Sequence, residues 1–323
     1  MHLVTGAGGF LGRPLVDALA AAGEGVRAMV RAGAPDVPAG VVTCRADLSD
    51  PDALRRAVDG CETVFHLAGK AHDLDAAGDD DAFRAVNVDG TANLLRAAAE
   101  ARVTSFVFAS SVKAMGEGAE ECLDEDSPLA PESPYGRSKR DAERLVLDAD
   151  GRSGMRASIL RFPLVYGPRL KGNLRRMLDA IERGVFPPLP PVSNRRSLAS
   201  AADAVSALRL AARLPAAAGR VYLVTDGVVY TSRGIYDAMR EALGRPPVSW
   251  SVPLPALRAA AALGEAAARV AGRRVPFGRA SLDKLLGSAC YRNDRIRREL
   301  GFVPATTLQA ELPAIVRARP VAP

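Results

Sequence analysis

Tyr135 and Lys139 stand four residues apart in the run Ser133-Pro134-Tyr135-Gly136-Arg137-Ser138-Lys139, a spacing that puts both side chains on one face of a helix. A tyrosine of ordinary pKa, near ~10, is a poor base at neutral pH, but a neighbouring ammonium favours its phenolate and draws it toward a working range. The expectation is a phenol of lowered pKa that exchanges a proton with a substrate oxygen. Upstream, the apolar run Phe106-Val107-Phe108-Ala109 ends in Ser110-Ser111, where a hydroxyl can hold that same oxygen. Ser111, Tyr135 and Lys139 are therefore the candidate catalytic set. A Tyr/Lys pair four apart also occurs on exposed helices, where it does nothing but face water. What favours chemistry here is the rest of the chain.

The segment Thr5-Gly6-Ala7-Gly8-Gly9-Phe10-Leu11-Gly12 follows a predicted strand and opens a predicted helix, with Gly6, Gly9 and Gly12 in GxxGxxG spacing. The first glycine permits a tight turn, the second lets backbone approach a pyrophosphate, and the third lets helix pack on strand. The helix N-terminus adds N–H groups and positive dipole for the phosphates. This points to a dinucleotide held by Gly6, Gly9, Phe10, Leu11 and Gly12, and the positive nicotinamide of an oxidised dinucleotide would further favour the Tyr135 phenolate. The second strand ends Met29-Val30-Arg31, with a cation where an acid would accept from the ribose 2′-OH. Arg31 thus favours NADP(H) by pairing a 2′-phosphate, or stacks on adenine, with NAD(H) left open. Asp47 either bonds the adenine amino group or serves as a turn acid.

From Met1 to about Arg161 short β-branched runs alternate with helical periods, the mark of a doubly wound parallel sheet. Strands are predicted at His2–Thr5, Val26–Val30, Thr63–Leu67, Ser105–Ala109 and Ser158–Leu160. Helices are predicted at Gly12–Ala22, Pro51–Val58, Ala82–Ala101 and Tyr135–Ala149, with Asp50 as an N-cap before Pro51. The fold class is α/β, a Rossmann domain over residues 1–161. Residues 162–323 read as a smaller mixed α/β lobe that binds substrate, some of whose segments return to the first domain. In that lobe a helix is predicted at Ala201–Arg213, a strand at Arg220–Val224 and a helix at Arg233–Leu243.

The chain has 323 residues, 48% hydrophobic and 25% charged, a globular composition that excludes a disordered or collagen-like protein. The formal charge of +6 comes from an arginine-rich, alanine-rich composition and does not argue for a nucleic-acid partner. Charge is unevenly spread: residues 269–298 hold nine cations and two acids, and residues 117–126 hold six acids. The acidic run reads as solvated surface, the basic one as a region that could meet an anionic substrate. Cys44, Cys61, Cys122 and Cys290 lie far apart without a CxxC pair, so reduced thiols and no metal site are expected. The apolar stretch Ala256 to Gly272 is broken by Arg258, Glu265 and Arg269, which argues against a membrane span. With a strand and glycine loop at the very start, no signal peptide is expected and the cytoplasm is the expected location.

The glycine loop, Phe65-His66-Leu67-Ala68-Gly69, Asn87-Val88-Asp89-Gly90-Thr91, the Ser111 and YxxxK set, and Leu164-Val165-Tyr166-Gly167-Pro168 together resemble the extended short-chain dehydrogenase/reductases. The resemblance spans nearly the whole chain. It implies an enzyme acting on a nucleotide-diphosphate sugar with NAD(P)(H), in a cofactor site that also takes in Leu48, Leu67, Ala68, Gly69 and Phe162. It further implies a homodimer through a four-helix bundle of the helices at Ala82–Ala101 and Tyr135–Ala149. Where related 4,6-dehydratases carry Thr-Asp-Glu, this chain reads Ser111-Val112-Lys113, so the acid pair that drives loss of water is missing.

What remains is hydride transfer at a sugar carbon, one-way in a 4-ketoreductase or reversible in a 4-epimerase, with a non-catalytic NADP(H) sensor as a distant third reading. The runs Ser110 to Lys113, Lys171 to Leu174 and Asn194 to Leu198 look most like reductases that make UDP-N-acetylquinovosamine for surface polysaccharide, the lipopolysaccharide O-antigen. By that likeness Arg196 holds the diphosphate and Ser111, Lys113 and Asn173 line the substrate. A second diphosphate arginine is not recognisable in Leu285-Leu286-Gly287-Ser288, and Lys284 or Arg292 is the expected stand-in. His72 is left out of the site.

Overall fold

The computed structural model describes residues 1–31, 33, 37–71, 80–116, 121–270 and 278–319, the side chains of 267–270 and 280 apart. In chain order the first half runs β1 (His2–Thr5), α1 (Gly12–Ala21), β2 (Val26–Val30), β3 (Val42–Arg45), α2 (Pro51–Val58), β4 (Thr63–His66), α3 (Asp80–Arg84), a wide π turn (Ala85–Asp89), α4 (Gly90–Glu100), β5 (Ser105–Ser111) and α5 (Pro134–Ala149). The second half runs β6 (Arg156–Phe162), β7 (Leu164–Tyr166), α6 (Gly172–Glu182), β8 (Arg196–Ser200), α7 (Ala201–Arg213), β9 (Arg220–Leu223), β10 (Val229–Tyr230), α8 (Ser232–Ala242), α9 (Leu254–Val270), α10 (Arg279–Leu286), α11 (Asp294–Leu300) and α12 (Leu308–Arg317).

Seven strands form a parallel sheet in the order β3-β2-β1-β4-β5-β6-β9. Strand order turns back between β1 and β4, and in such sheets ligands bind in the crevice beyond the carboxyl ends of those strands. The fold is the Rossmann type expected. Apolar side chains fill both faces: Leu15, Val16 and Leu19 of α1 meet Ala204 and Leu208 of α7 on one side. On the other, Leu54, Leu94, Ala142 and Val146 close α2, α4 and α5 over Val64, Phe106 and Ile159. A separate core around Tyr166, Leu178, Tyr236 and Leu312 holds the C-terminal lobe with its small sheet β10-β8-β7.

Local chemistry accounts for several boundaries. Asp50 caps α2 by accepting from the amides of Asp52 and Ala53, ahead of Pro51. Elsewhere the structure corrects the sequence reading. α7 and β9, read from sequence within a stretch some of whose segments return to the first domain, pack with the large sheet: β9 pairs with β6, Val221 beside Ile159, and Ser105 donates from Oγ to the Ala212 carbonyl at the end of α7. Chain order hid this, because the lobe's own strands β7 and β8 come first. β3 went unread because its four residues are mostly exposed and carry no apolar alternation. The helix expected over Ala82–Ala101 is interrupted by the π turn.

The reduced-thiol expectation is overturned for one pair. Cys122 and Cys290 are joined in a disulfide across 168 residues, while Cys44 and Cys61 are free. The reason is tertiary: the stretch around Leu123 runs parallel to that around Tyr291, a pairing no spacing reveals. Among the described residues no helix is long and apolar enough to cross a membrane, and no group of three or more metal-ligating side chains occurs.

Candidate active site

α5 is placed by its first turn. Ser133 caps it, accepting from the Gly136 amide at 3.0 Å, and Pro134 occupies the first helical position. Gly136 lets that turn press onto the chain just beyond β5, where a Cβ would fall 2.3 Å from the Lys113 carbonyl oxygen. This close approach brings Tyr135 to Ser111. The Ser111 hydroxyl hydrogen-bonds the phenol, and its Oγ also accepts from the Lys113 amide at 3.2 Å.

The Tyr135 pKa is not lowered, as the spacing suggested. It is pushed up to about 12, chiefly by burial, with the Ser111 hydrogen bond pulling down and the Glu143 charge adding to the rise. Lys139, whose Nζ donates to the Ala109 carbonyl at 2.8 Å and sits 4.2 Å from the Phe108 ring centroid, does not counter this, because it gives up its own proton below the pH at which the phenol ionises. Burial brings the Lys139 pKa down to about 8, with Glu143 opposing. The resting site therefore carries a neutral phenol beside an ammonium that loses its proton in the working pH range.

Residues given no role in the sequence reading, Glu143 and Asn87, complete the site. Glu143 lies one turn beyond Lys139 on α5, buried, accepting from Ser110 Oγ at 2.6 Å and from Arg161 of β6 through both its oxygens. The i, i+4 continuation Tyr135, Lys139, Glu143 is the signal that could have found it. Asn87, in the π turn, accepts from the Lys70 amide at 2.8 Å and donates to the Lys70 carbonyl and to Ser138 Oγ, both at 2.9 Å. Ser138 in turn donates to the Tyr135 carbonyl. A Cβ on Gly69 would stand 2.9 Å from Asn87 Oδ1 and 3.8 Å from Lys139 Nζ, so these three residues converge.

Beneath them runs a buried chain of hydroxyls and imidazole. Thr5 Oγ1 accepts from the amides of Leu67 and Ala68, which leaves its proton for His66 Nδ1 at 2.8 Å. His66 therefore carries its proton on Nε2 and gives it to Thr91 Oγ1 at 2.9 Å, and Thr91 donates to the Asn87 carbonyl. Burial drives the His66 pKa down to about 3, so the ring is neutral.

The glycine loop is a cradle that side chains would fill. Gly6 has φ +66°, a Cβ on Gly12 would lie 2.1 Å from the Gly6 carbonyl oxygen, and one on Gly9 2.9 Å from it. Backbone can thus approach a pyrophosphate at the start of α1, and the site fits a dinucleotide. Phe10 and Leu11 are half-buried beside it, as are Leu67 and Ala68, while Phe162 is buried in the core. Arg31 is exposed just past β2 and lends its charge to Asp47. Asp47 accepts from the Ser49 amide and hydroxyl at 2.9 and 2.6 Å, which hold its carboxyl below the usual range. That is its turn reading. Leu48 is buried against Gly90.

The residues expected to meet substrate lie in the other lobe, except for Ser111 at the end of β5 and Lys113, half-buried beside it. Asn173 is exposed at the second position of α6. Arg196 Nη1 donates to the carbonyls of Lys284 and Gly287 at 2.8 and 2.9 Å, tying β8 to the end of α10. Lys284 is exposed, and Arg292 pairs with Asp124 at 3.0 Å on a surface shared with Arg195. His72 lies outside the described residues.

Known proteins resemble this one along its length. A 4-hydroxy-2-methyl-3-oxo-4-farnesyl-3,4-dihydroquinoline-1-oxide ketoreductase of Stigmatella aurantiaca is 33% identical over 98% of this chain and 96% of its own. A UDP-glucose 4-epimerase of Vibrio cholerae is 29% identical over 95% and 92%. The solved structure of MoeE5 in complex with UDP-glucuronic acid and NAD is 27% identical, with a TM-score of 0.77 over 98% of each chain. The model of the NAD dependent epimerase/dehydratase family matches residues 2–225. Those residues include every strand of the large sheet and the whole Tyr135 face of α5, and they make this chain a member of the NAD dependent epimerase/dehydratase family, with NAD as its cofactor type.

Proposed function

We propose that this protein is an NAD(P)H-dependent ketoreductase that reduces the 4-keto group of a nucleotide-diphosphate sugar, of the UDP-4-keto-6-deoxy-N-acetylhexosamine type, for surface polysaccharide synthesis. The observation that carries the reading is the arrangement of Tyr135, its phenol held by the Ser111 hydroxyl, with Lys139 one turn along the same helix. Reduction of a ketone needs a proton donor at the developing alkoxide, and this phenol is one. Gly6, Gly9 and Gly12 would hold the pyrophosphate of a dinucleotide whose adenosine end meets Arg31, and that cofactor would supply the hydride.

Tyr135 gives its proton to the substrate oxygen while Ser111 donates a hydrogen bond to the same atom, so that negative charge develops against fixed donors. Lys139, charged below about pH 8, favours the phenolate left behind. Arg196 anchors the diphosphate by exchanging its hold on the Lys284 and Gly287 carbonyls for the more strongly accepting phosphate oxygens. Lys113 and Asn173 line the sugar. A homodimer would place α4 and α5 at its seam, where Val86 of the π turn and Leu147 of α5 are exposed.

A 4-epimerase is the second reading, favoured by the likeness to the Vibrio cholerae enzyme over nearly the whole chain. One experiment separates the two. Purified protein is mixed with NADPH or NADH and the 4-keto sugar nucleotide while the absorbance of reduced cofactor is followed, with UDP-glucose and UDP-N-acetylglucosamine assayed in parallel for their 4-epimers. Stoichiometric loss of reduced cofactor supports the reductase and ranks the two donors. Epimers without cofactor loss replace it with the epimerase.

A further inference from the structure

We infer that Cys122 and Cys290 form a thiol–disulfide exchange site, opened by a small dithiol, that staples the active-site loop to the C-terminal lobe. The loop leaves β5 at Ser111 and returns at Tyr135, so both of its ends are catalytic. Its middle lies against the stretch between α10 and α11. The Leu123 amide donates to the Cys290 carbonyl at 2.9 Å, the Arg292 amide to the Leu123 carbonyl at 2.8 Å, and the Tyr291 hydroxyl to the Gly116 carbonyl at 3.1 Å. The disulfide closes this ladder covalently.

The same stretch also grips β8. The Ser197 amide donates to the Ala289 carbonyl at 2.9 Å, the Ala289 amide to the Arg195 carbonyl at 2.7 Å, and Arg196 reaches the Gly287 carbonyl. The staple therefore joins the segment that spans Ser111 to Tyr135 with the segment that positions Arg196.

The two sulfurs differ in access. Cys290 is buried, whereas Cys122 is half-buried and lines an open cavity of about 510 Å³. Arg195, Arg292 and Arg297 line the same cavity, with Glu121 and Asp294. The three guanidiniums favour the thiolate form of an incoming thiol. A thiolate reaching Cys122 Sγ forms a mixed disulfide with it as the Cys122–Cys290 bond breaks, and Cys290 leaves as a thiolate and takes a proton from water. The second thiol of the reagent then displaces Cys122. The products are two protein thiols and the cyclic disulfide of the reagent, and an oxidised compound of that class runs the sequence backward. Cys44 and Cys61 are free and line no part of this cavity.

The test uses the whole protein and needs no substrate, so it stands apart from the reductase reading. Native protein purified in air is treated with iodoacetamide before and after dithiothreitol, the labelled peptides are mapped, and amide hydrogen exchange is followed in both states. Cys122 and Cys290 are expected to label only after dithiothreitol, and reduction is expected to speed exchange of the Leu123 and Arg292 amides about tenfold while the β1 and β4 amides stay unchanged. The Cys122→Ser/Cys290→Ser variant is expected to exchange like the reduced protein and to ignore dithiothreitol. Labelling of both cysteines before reduction, or Leu123 and Arg292 amides indifferent to it, overturns the proposal.

Discussion

Arg161 grips Glu143 side-on, Nε to Oε1 at 2.9 Å and Nη2 to Oε2 at 2.7 Å, with both side chains buried. The carboxylate also takes the Ser110 hydroxyl, so it fixes the end of β5, the strand β6 and the helix α5 to one another. Removing one partner of a buried pair strands the other charge, which costs about 3–5 kcal/mol. Glu143→Ala is expected to lower the urea midpoint accordingly. It is also expected to move the Lys139 pKa further down, because Glu143 opposes the effect of burial there.

Tyr135→Phe removes the proton donor and leaves the ring. Turnover is expected to fall about 100- to 10,000-fold, the usual contribution of a positioned acid. Cofactor affinity, read by titration of NADH fluorescence, should stay near the parent value. Unchanged turnover would take Tyr135 out of the mechanism.

Lys139 sets a limb of the pH profile. Its ammonium titrates near pH 8, well below an ordinary lysine, because burial disfavours the charge. The reduction rate is expected to hold up to about that pH and to fall above it. Lys139→Met should remove the limb together with most of the rate, as seen in kcat measured at a series of pH values.

His66 makes the fold acid-sensitive. Its folded pKa, about 3, lies below the ordinary 6.5, so the unfolded chain binds a proton that the folded one refuses. The stability this gives is full above pH 6.5 and is lost as pH falls toward 3, by at most about 5 kcal/mol for so large a shift. Urea midpoints measured from pH 7 to pH 4 should decline, and His66→Gln should flatten part of the slope.

Gly12→Ala tests the cradle. Its Cβ would stand 2.1 Å from the Gly6 carbonyl oxygen and 2.9 Å from Ala7 Cα, both backbone atoms that cannot swing aside. The loop must open to admit it, at the roughly 1–3 kcal/mol typical of overpacking. NADH affinity is expected to drop at least about tenfold, measured by the same titration.

The sequence was most informative where function and local geometry coincide. The glycine loop at residues 6–12 sits between strand and helix as read, and Ser133, Pro134 and the Tyr135 to Lys139 spacing announce α5 and its reactive face. Two kinds of feature escaped. One is pairing across long stretches of chain: Arg161 with Glu143, Cys122 with Cys290 and β9 beside β6 each depend on topology that no periodicity carries. The other is the balance of burial against charge. Spacing placed an ammonium near Tyr135 and implied an easy phenolate, but burial makes that ammonium give up its proton before the phenol does, and desolvation decides the outcome.

The wide turn at Ala85–Asp89 has a consequence for how this chain tolerates change in length. A π turn spends one residue more than a regular helical turn, and that surplus residue lets Asn87 face Lys70 and Ser138 while α4 keeps its apolar face on the core and Phe83 of α3 stays against Tyr135. Deleting Val86 would restore an unbroken helix and suit helical propensity well. It would also rotate α3 by about a third of a turn relative to α4, so the more regular helix would be the one that carries Phe83 away from the Tyr135 ring and the Lys70 ammonium.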